Sequence, residues 1–174
     1  MGKDRKELEE KIGYNFQNKE QLKLAVTHSS YANEIVRKNA KKEYNERIEF
    51  LGDAVLELIV SDYLYKNYPE KKEGELTKLR ASLVCEMSLA ACARNIQLGD
   101  YILLSKGEDH TGGRYRDSIL SDAFEAVLGA IYIDGGMEPA RAFIQKELLI
   151  DIEHKALFHD AKTTLQEIVQ GMKP

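Results

Sequence analysis

Two groups of acidic residues interrupt the most apolar stretches of this 174-residue chain. Glu46, Glu49 and Asp53 form the first group, and Asp122 and Glu125 form the second. At about 100° per residue, the first group falls within an arc of roughly 60° on one helix, and the second pair shares a face of another. Carboxylates beside apolar segments repel one another and lose hydration, so they need protons or cations. The pattern therefore predicts a site for a hard divalent cation with oxygen ligands, Mg²⁺ above all.

A simpler interpretation applies to Glu46 and Glu49 taken singly. Carboxylates in the first turn of a helix are stabilised by the helix macrodipole, which needs no metal. That explanation does not extend to Asp53, which lies two turns into the predicted helix, or to the second acidic pair. Each group alone leaves both interpretations open, and the two groups together favour a metal site.

The composition is that of one globular domain of comfortable core size, with 43% hydrophobic and 31% charged residues. No apolar run reaches the roughly 18 residues that span a bilayer, so we expect no membrane association. Cys85 and Cys92 are predicted to be free thiols in a reducing cytosol, which indicates a cytoplasmic protein. The net charge of −4 argues only weakly against a nucleic-acid partner, because the acidic groups supply several of these charges.

Helical patterns cover nearly the whole chain, and the predicted fold class is all-α, a helical bundle. Asn18 and Gln21 form a predicted capping box. The predicted helices run from about 45 to 66, from 74 towards 95, from 118 to 134, and onward from Pro139. The polar stretch 105–117, which contains Gly112-Gly113-Arg114, is predicted to be the longest loop. A surface connection and a substrate-facing loop are equally compatible with it.

Several segments closely resemble bacterial ribonuclease III, and together they cover nearly the whole chain. The segments are Leu24-Ala-Val-Thr-His-Ser-Ser30, Glu46-Arg-Ile-Glu-Phe-Leu-Gly-Asp-Ala-Val-Leu56, Glu73-Gly-Glu-Leu-Thr-Lys-Leu-Arg80, Gly112-Gly-Arg114 and Ser118-Ile-Leu-Ser-Asp-Ala-Phe-Glu-Ala126. The resemblance implies an endonuclease domain over residues 1–152, with the helical bundle of that family, and a linker over 153–159. Residues 160–174 are similar to the first helix of the family's double-stranded-RNA-binding domain, so we expect a truncated start of that domain there.

The resemblance also implies the reaction and its cofactor. The family cuts both strands of double-stranded RNA with Mg²⁺, for which Mn²⁺ substitutes, and leaves 5′-phosphates and short 3′ overhangs. It processes ribosomal, messenger and transfer RNA, acts as a homodimer and uses no nucleotide cofactor. Carried over to this chain, the metal-binding residues are Glu49, Asp53, Asp122 and Glu125, and the two associated most directly with catalysis are Asp53 and Glu125.

Three further residues receive roles from the resemblance. Glu46 and Glu73 correspond to outer acidic residues that line the cleft, although salt-bridged helix surfaces would also explain them. Phe50 corresponds to an aromatic that packs against the second subunit, where the ordinary expectation is a buried core phenylalanine. A symmetric dimer would place two acidic sites along one valley, which suits a duplex recognised by its shape.

Two other classes of protein are alternatives to the nuclease that the resemblance implies. A non-catalytic RNA-binding or scaffold protein of the same fold would have lost its acidic residues, whereas all six acidic positions are present here. A helical metal phosphohydrolase acting on nucleotides would need paired histidine and aspartate ligands. The four histidines of this chain are scattered without ligand spacing.

Overall fold

The computed structural model describes residues 5–35, 42–150 and 152. Within these residues the chain forms a bundle of α-helices, and the prediction of an all-α fold is confirmed. The helices are α1 (Arg5–Ile12), α2 (Lys19–Ala25), α3 (Ser29–Ile35), α4 (Glu46–Asn67), α5 (Glu73–Leu83), α6 (Glu86–Asn95), α7 (Lys106–His110), α8 (Asp117–Gly135) and α9 (Met137–Ile144). In the same residues, β-structure is limited to an isolated parallel bridge between Thr27 and Leu103.

Helix α8 is the centre of the bundle. Its middle is buried on all sides, from Ile119 to Ile131 with only Asp122 and Glu125 half-exposed. A helix that is apolar all round must be covered all round, and α8 packs against α2, α4, α6 and α9. The predicted ranges of α4 and α8 agree with the observed ones to within one residue at each end.

Helices α4 and α8 touch through their backbones, at a pair of glycines. A Cβ atom added to Gly52 would lie 1.8 Å from the carbonyl oxygen of Glu125. A Cβ atom added to Gly129 would lie 2.3 Å from the carbonyl oxygen of Ile48. Only residues without a side chain fit at this crossing, so the two helices approach more closely than side-chain packing normally allows.

The prediction of one helix from 74 towards 95 is wrong, because the chain forms two helices there. Helix α5 ends at Leu83, and Cys85 has an extended backbone with φ −72° and ψ 154° before α6 begins. The carbonyl oxygen of Ser82 accepts hydrogen bonds from the Ser88 hydroxyl at 2.9 Å and the Cys85 thiol at 3.3 Å. These side chains replace the helical partners that the break removes. The break lets α5 pack against α4 while α6 packs against α8.

The prediction of one long loop over 105–117 is wrong, because the stretch has secondary structure of its own. It contains α7 and a 3₁₀ turn at Gly113–Tyr115. The Arg114 guanidinium donates two hydrogen bonds to Asp109, at 2.8 and 2.9 Å, and another to the carbonyl oxygen of Gly99 at 2.6 Å. These bonds occupy most of its donors, so Arg114 holds the connection in place. The substrate-facing role of the stretch stays a prediction.

Asp134 ties the N-terminal segment to the end of α8. Its carboxylate accepts hydrogen bonds from the Tyr14 hydroxyl at 2.8 Å and from the backbone N–H groups of Gln17 and Asn18, at 2.7 and 2.8 Å. Asn18 is also the N-cap of α2, as predicted, and accepts the N–H of Glu20 at 3.1 Å.

Other expectations have mixed outcomes. Helix α9 begins at Met137, two residues before the predicted start at Pro139, which still lies in the first turn, where a missing N–H costs little. Cys85 and Cys92 are not joined in a disulfide, as predicted, and Cys92 is buried whereas Cys85 is half-buried. Among the described residues, no helix is long and apolar enough to cross a membrane. The predicted linker and second-domain start, residues 153–174, lie outside the described residues.

Candidate metal centre

Three of the predicted ligands meet where α4 crosses α8. Carboxylate oxygens of Glu49, Asp122 and Glu125 all lie within 4.8 Å of one another, and all three side chains are half-buried. We call these three residues the carboxylate cluster. Glu49 lies one turn before Gly52, and Glu125 lies one turn before Gly129. The close glycine contact therefore brings the two acidic helix faces within reach of one shared ion.

Asp53 lies at the edge of the carboxylate cluster. It is exposed and outside the compact group of three, yet its charge acts on both Glu49 and Glu125. Glu46 is also exposed, and its charge acts on Glu49 and Asp122. The sequence predicted both residues on the same face of α4 as Glu49, but neither contributes an oxygen to the compact group of three.

Glu73 is separate from the carboxylate cluster within this chain. It is the first residue of α5, and its carboxylate accepts a hydrogen bond from the Thr77 hydroxyl at 2.8 Å. It borders a surface hollow of about 530 Å³ together with Lys71 and Arg80. Its role as a cleft-lining residue stays a prediction.

The carboxylate cluster binds protons more tightly than ordinary carboxyl groups do. The pKa of Glu125 is raised to about 8, and burial is the largest cause. Nearby negative charges raise it further, and they belong to Asp53, Glu49, Asp122 and Glu57. Burial also raises the pKa of Glu49 to about 7, with smaller contributions from the charges of Asp122, Glu46 and Asp53. Three carboxylates so placed cannot all stay ionised near neutral pH without a cation.

Asp122 has a raised pKa for a partly different reason. Burial is again the largest cause, and the charge of Glu86, at the start of α6, comes next. His28 and Ser121 act in the opposite direction and lower the pKa of Asp122. The causes that raise the pKa of Asp122 outweigh those that lower it.

Sequence reasoning missed Glu57, Glu86 and His28 as neighbours of the carboxylate cluster. Glu57 follows Asp53 by four residues, so continuing the same face of α4 by one turn would have found it. Glu57 forms a salt bridge with Arg80, whose Nε atom lies 2.9 Å from a Glu57 carboxylate oxygen. Glu86 and His28 belong to other elements, and no spacing along α4 or α8 indicates them.

The carboxylate cluster suits a hard divalent cation. Oxygen-only donors and a surplus of negative charge are what Mg²⁺ and Mn²⁺ prefer, whereas zinc sites use mainly histidine and cysteine. A cation at this position would relieve the repulsion that otherwise holds protons on Glu49 and Glu125. The residues present therefore fit the ion that the sequence pattern predicts.

The raised pKa values lead to a prediction about stability and pH. Glu49 and Glu125 have folded-state pKa values of about 7 and 8 against ordinary values of 4.5. At pH values between 4.5 and these raised pKa values, the folded chain thus binds more protons than the unfolded chain. Without metal, the free energy of unfolding should therefore fall as pH rises from about 5 to 8. Because both groups are partly exposed to solvent, we expect a total loss of only about 1–3 kcal/mol.

Thermal unfolding with and without Mg²⁺ checks this prediction. Mg²⁺ competes with the bound protons, so it should raise Tm more at pH 8 than at pH 6. A double variant, Glu49→Gln with Glu125→Gln, is the control, and its pH slope and Mg²⁺ response should both be reduced. A wild-type response to Mg²⁺ that is equal at the two pH values would contradict the prediction.

The fold and the carboxylate cluster define a class, a helical protein with an oxygen-ligand metal centre at the crossing of two core helices. Comparison with known proteins makes this specific. A family model described as Ribonuclease-III-like matches residues 18–152. Ribonuclease 3 of Caldanaerobacter subterraneus is 52% identical over 169 residues, covering 95% of this chain and 73% of that protein. Ribonuclease 3 of Clostridium acetobutylicum is 54% identical over 169 residues, covering 95% and 71%. This chain belongs to the ribonuclease III family.

Solved structures agree with this assignment. The nuclease domain of ribonuclease III from Campylobacter jejuni superimposes with a TM-score of 0.74 at 44% identity, covering 83% of this chain and 92% of that one. A second structure of that domain is described as showing flexibility in a region involved in dimer formation. Dicer from Pichia stipitis, at 23% identity and a TM-score of 0.60, shares the fold.

Proposed function

We propose that this chain is an endoribonuclease that hydrolyses phosphodiester bonds on both strands of double-stranded RNA, and leaves 5′-phosphates and short 3′ overhangs. The observation that carries the proposal is the carboxylate cluster, held at the crossing of α4 and α8 in a chain of the ribonuclease III family. Its proposed cellular roles are those of the family, the processing of ribosomal, messenger and transfer RNA in the cytoplasm.

The proposed mechanism assigns each acidic residue a task. Glu49, Asp122 and Glu125 would hold the cation, and the exposed Asp53 would complete the set of ligands from the solvent side of α4. A divalent cation bound there would lower the pKa of the attacking water and would offset the negative charge on the leaving 3′ oxygen. Mg²⁺ is the proposed physiological ion, with Mn²⁺ as a substitute. Asp53 and Glu125 are the proposed catalytic residues.

The burial of Glu49 and Glu125 also supports this assignment. A half-buried carboxylate has few rotamers and little competing water, so it presents its oxygens in a fixed direction. The exposed Glu46 stays at the rim, where its charge acts on the carboxylate cluster without entering it. Glu46 and Glu73 are proposed to line the cleft.

One assay tests the proposed function. The protein is incubated with long double-stranded RNA, single-stranded RNA and double-stranded DNA, each with and without Mg²⁺. We expect cleavage of the RNA duplex alone, and only with Mg²⁺. Retention of the RNA duplex without cleavage at any divalent-ion concentration would instead identify a non-catalytic binding protein.

We further propose that the chain acts as a homodimer, with Phe50 at the contact. Phe50 is 78% exposed on α4, and contact with a second subunit would remove its phenyl ring from water. A hollow of about 380 Å³ opens beside the start of the same helix, and it is lined by Leu24, Ile48, Leu51 and Ile133 together with polar and charged side chains. A two-fold dimer would place the Phe50 ring of each protomer in the hollow of its partner, so the same contact would form twice.

Changing Phe50→Asp should shift the protein towards monomer, because it would bury an unpaired charge at the interface. The fold of each protomer should persist, since the side chain is exposed. Tyr65→Asp is a matched control, because Tyr65 is 76% exposed on the same helix about 22 Å further along. Sedimentation velocity at micromolar concentration measures the result. A wild-type monomer, or equal dissociation of both variants, would refute the role of Phe50.

A further inference from the structure

Arg80 joins α5 to α4 through two contacts that lie one helical turn apart. Its Nε atom lies 2.9 Å from a carboxylate oxygen of Glu57. Its Nη1 group donates a hydrogen bond to the Ser61 hydroxyl, also at 2.9 Å. Glu57 and Ser61 are four residues apart, so their side chains share one face of α4. The planar guanidinium binds both acceptors at once, which fixes its own direction and that of the Glu57 carboxylate.

The packing of α5 places Arg80 where it can make these contacts. Leu79 and Leu83 are the buried residues of α5, and the helix ends at Leu83. The break at that point lets α5 pack against α4 while α6 packs against α8. The same break therefore gives Arg80 its place beside Glu57.

Glu57 continues the acidic face of α4 beyond the carboxylate cluster. It lies one turn after Asp53, on the same face of the helix. Two carboxylates at this spacing are neighbours on a helix surface and repel each other. The charge of Glu57 also acts on Glu125, whose pKa it helps to raise. An unpaired Glu57 would thus add a further charge, and two further oxygen atoms, beside the carboxylate cluster.

Folding stability does not account for the pair of Glu57 and Arg80. The two side chains are 38% and 37% exposed, and ion pairs this open to water contribute little to stability because solvent screens them. The main effect of the pair is therefore local. It offsets one negative charge and holds one carboxylate in a fixed direction, next to Asp53.

We propose that Arg80 is a positioning residue of the metal centre, which holds the Glu57 carboxylate towards α5 and offsets its charge, so that Glu57 stays out of the coordination of the ion. The inference rests on the proposed function, because it assigns Arg80 a task beside that same centre. Asp53 is thereby left as the exposed carboxylate of α4 that faces the ion, without competition from the residue one turn later. Arg80 also limits how tightly the centre holds a divalent cation.

Mn²⁺ binding tests the proposal through two effects of opposite sign. It is measured by calorimetry at low ionic strength, where screening is weakest, on the metal-free protein in its own oligomeric state. Arg80→Gln leaves Glu57 unpaired and should strengthen Mn²⁺ binding by about 3–10-fold, the effect of one charge on a nearby divalent ion in a largely aqueous surrounding. Glu57→Gln leaves Arg80 unpaired and should weaken binding by a similar factor. The double variant has neither charge and should bind within about twofold of the wild type.

Two further variants serve as controls. Arg80→Lys keeps the positive charge beside Glu57, so its Mn²⁺ affinity should stay within about twofold of the wild type. Lys66→Gln removes the same charge from α4, about 20 Å beyond Asp53 along the helix. The partner of Lys66, Asp62, keeps its salt bridge with Arg141 at 2.7 Å. Lys66→Gln should therefore bind Mn²⁺ as the wild type does.

Cleavage of a short RNA duplex supplies a second readout. The Mg²⁺ concentration for half-maximal cleavage should fall in Arg80→Gln and rise in Glu57→Gln. At saturating Mg²⁺, kcat of Arg80→Gln should nevertheless be lower than that of the wild type, because the released Glu57 competes with Asp53 for the ion. The double variant should recover the wild-type kcat, and KM for the duplex should stay within about twofold throughout.

Equal or weaker Mn²⁺ binding in Arg80→Gln would overturn the proposal. A defect that Glu57→Gln does not repair would also overturn it, because Arg80 would then act on packing or on the substrate and not through Glu57. If Arg80→Gln does not fold, unchanged Mn²⁺ affinity in Glu57→Gln overturns the proposal and a weaker affinity supports it. A wild-type protein that binds Mn²⁺ yet leaves RNA duplexes intact would refute the proposed function alone, and the affinities would still report on Arg80. A wild-type protein that binds no Mn²⁺ would refute both.

Discussion

Glu125→Gln should reduce cleavage of duplex RNA by about 10²–10⁴-fold, equivalent to about 3–5 kcal/mol of lost transition-state stabilisation. The substitution preserves the shape of the side chain but removes one of the three carboxylates of the carboxylate cluster. Folding should not suffer, because the replaced group is the one whose pKa is raised to about 8 by burial and by its acidic neighbours. Removing that repulsion should leave the metal-free protein at least as stable as the wild type at pH 8.

Single-turnover cleavage at saturating Mg²⁺, together with thermal unfolding, measures both parts of this prediction. Glu10→Gln is the matched control, because it is the same substitution at an exposed position on α1. Near-normal cleavage by Glu125→Gln would remove Glu125 from the catalytic centre. A large fall in Tm would show that the carboxylate supports the fold instead.

Gly52→Ala should have the largest effect of any glycine-to-alanine change among the described residues, because its added Cβ makes the shortest contact. The new Cβ would lie 1.8 Å from the carbonyl oxygen of Glu125, and neither atom belongs to a flexible side chain. One of the two core helices must move, which we expect to cost about 3 kcal/mol or more, the upper part of the range for overpacking. Alanine has the better helix propensity by up to about 1 kcal/mol, so the loss would come from the crossing alone.

The same movement should also impair the metal centre, since it separates Glu49 from Glu125. We expect weaker Mn²⁺ binding in addition to a lower Tm, both measured on the folded protein at low temperature. Gly107→Ala is the matched control, because a Cβ at Gly107 in helix α7 meets nothing within 4 Å. Its stability should be unchanged or slightly higher. Equal stabilities for the two variants would show that α4 and α8 tolerate a wider separation.

Much of the architecture was predictable because the core helices have a simple pattern. The middle of helix α8, from Ile119 to Ile131, is apolar except at Ser121, Asp122 and Glu125, so its central place follows from its composition. The break between α5 and α6 was not predictable in the same way. Leucine spacing continues across it, and only tertiary packing makes two short helices preferable to one long helix.

The carboxylate cluster was predictable in its three residues but not in its full surroundings. Helical spacing grouped Glu49 with Asp53, and Asp122 with Glu125, yet spacing says nothing about whether two helices touch. The glycine pair at 52 and 129 carries that information, and its meaning is apparent only once the helices are seen in contact. The charges of Glu86 and His28 also act on Asp122. Both residues belong to other parts of the chain, so no local sequence pattern indicates them.

The enclosed position of α8 has a consequence for amide hydrogen exchange. Four helices cover α8, so its amide hydrogens can reach solvent only when that cover opens. The amides around Asp122 and Glu125 should therefore be among the slowest to exchange, at rates set by global unfolding. Catalytic segments in many enzymes are looser than the rest of the molecule. In this protein we expect two of the three clustered carboxylates to belong to the last cooperative unit to open. Heat inactivation should accordingly coincide with global unfolding and not precede it.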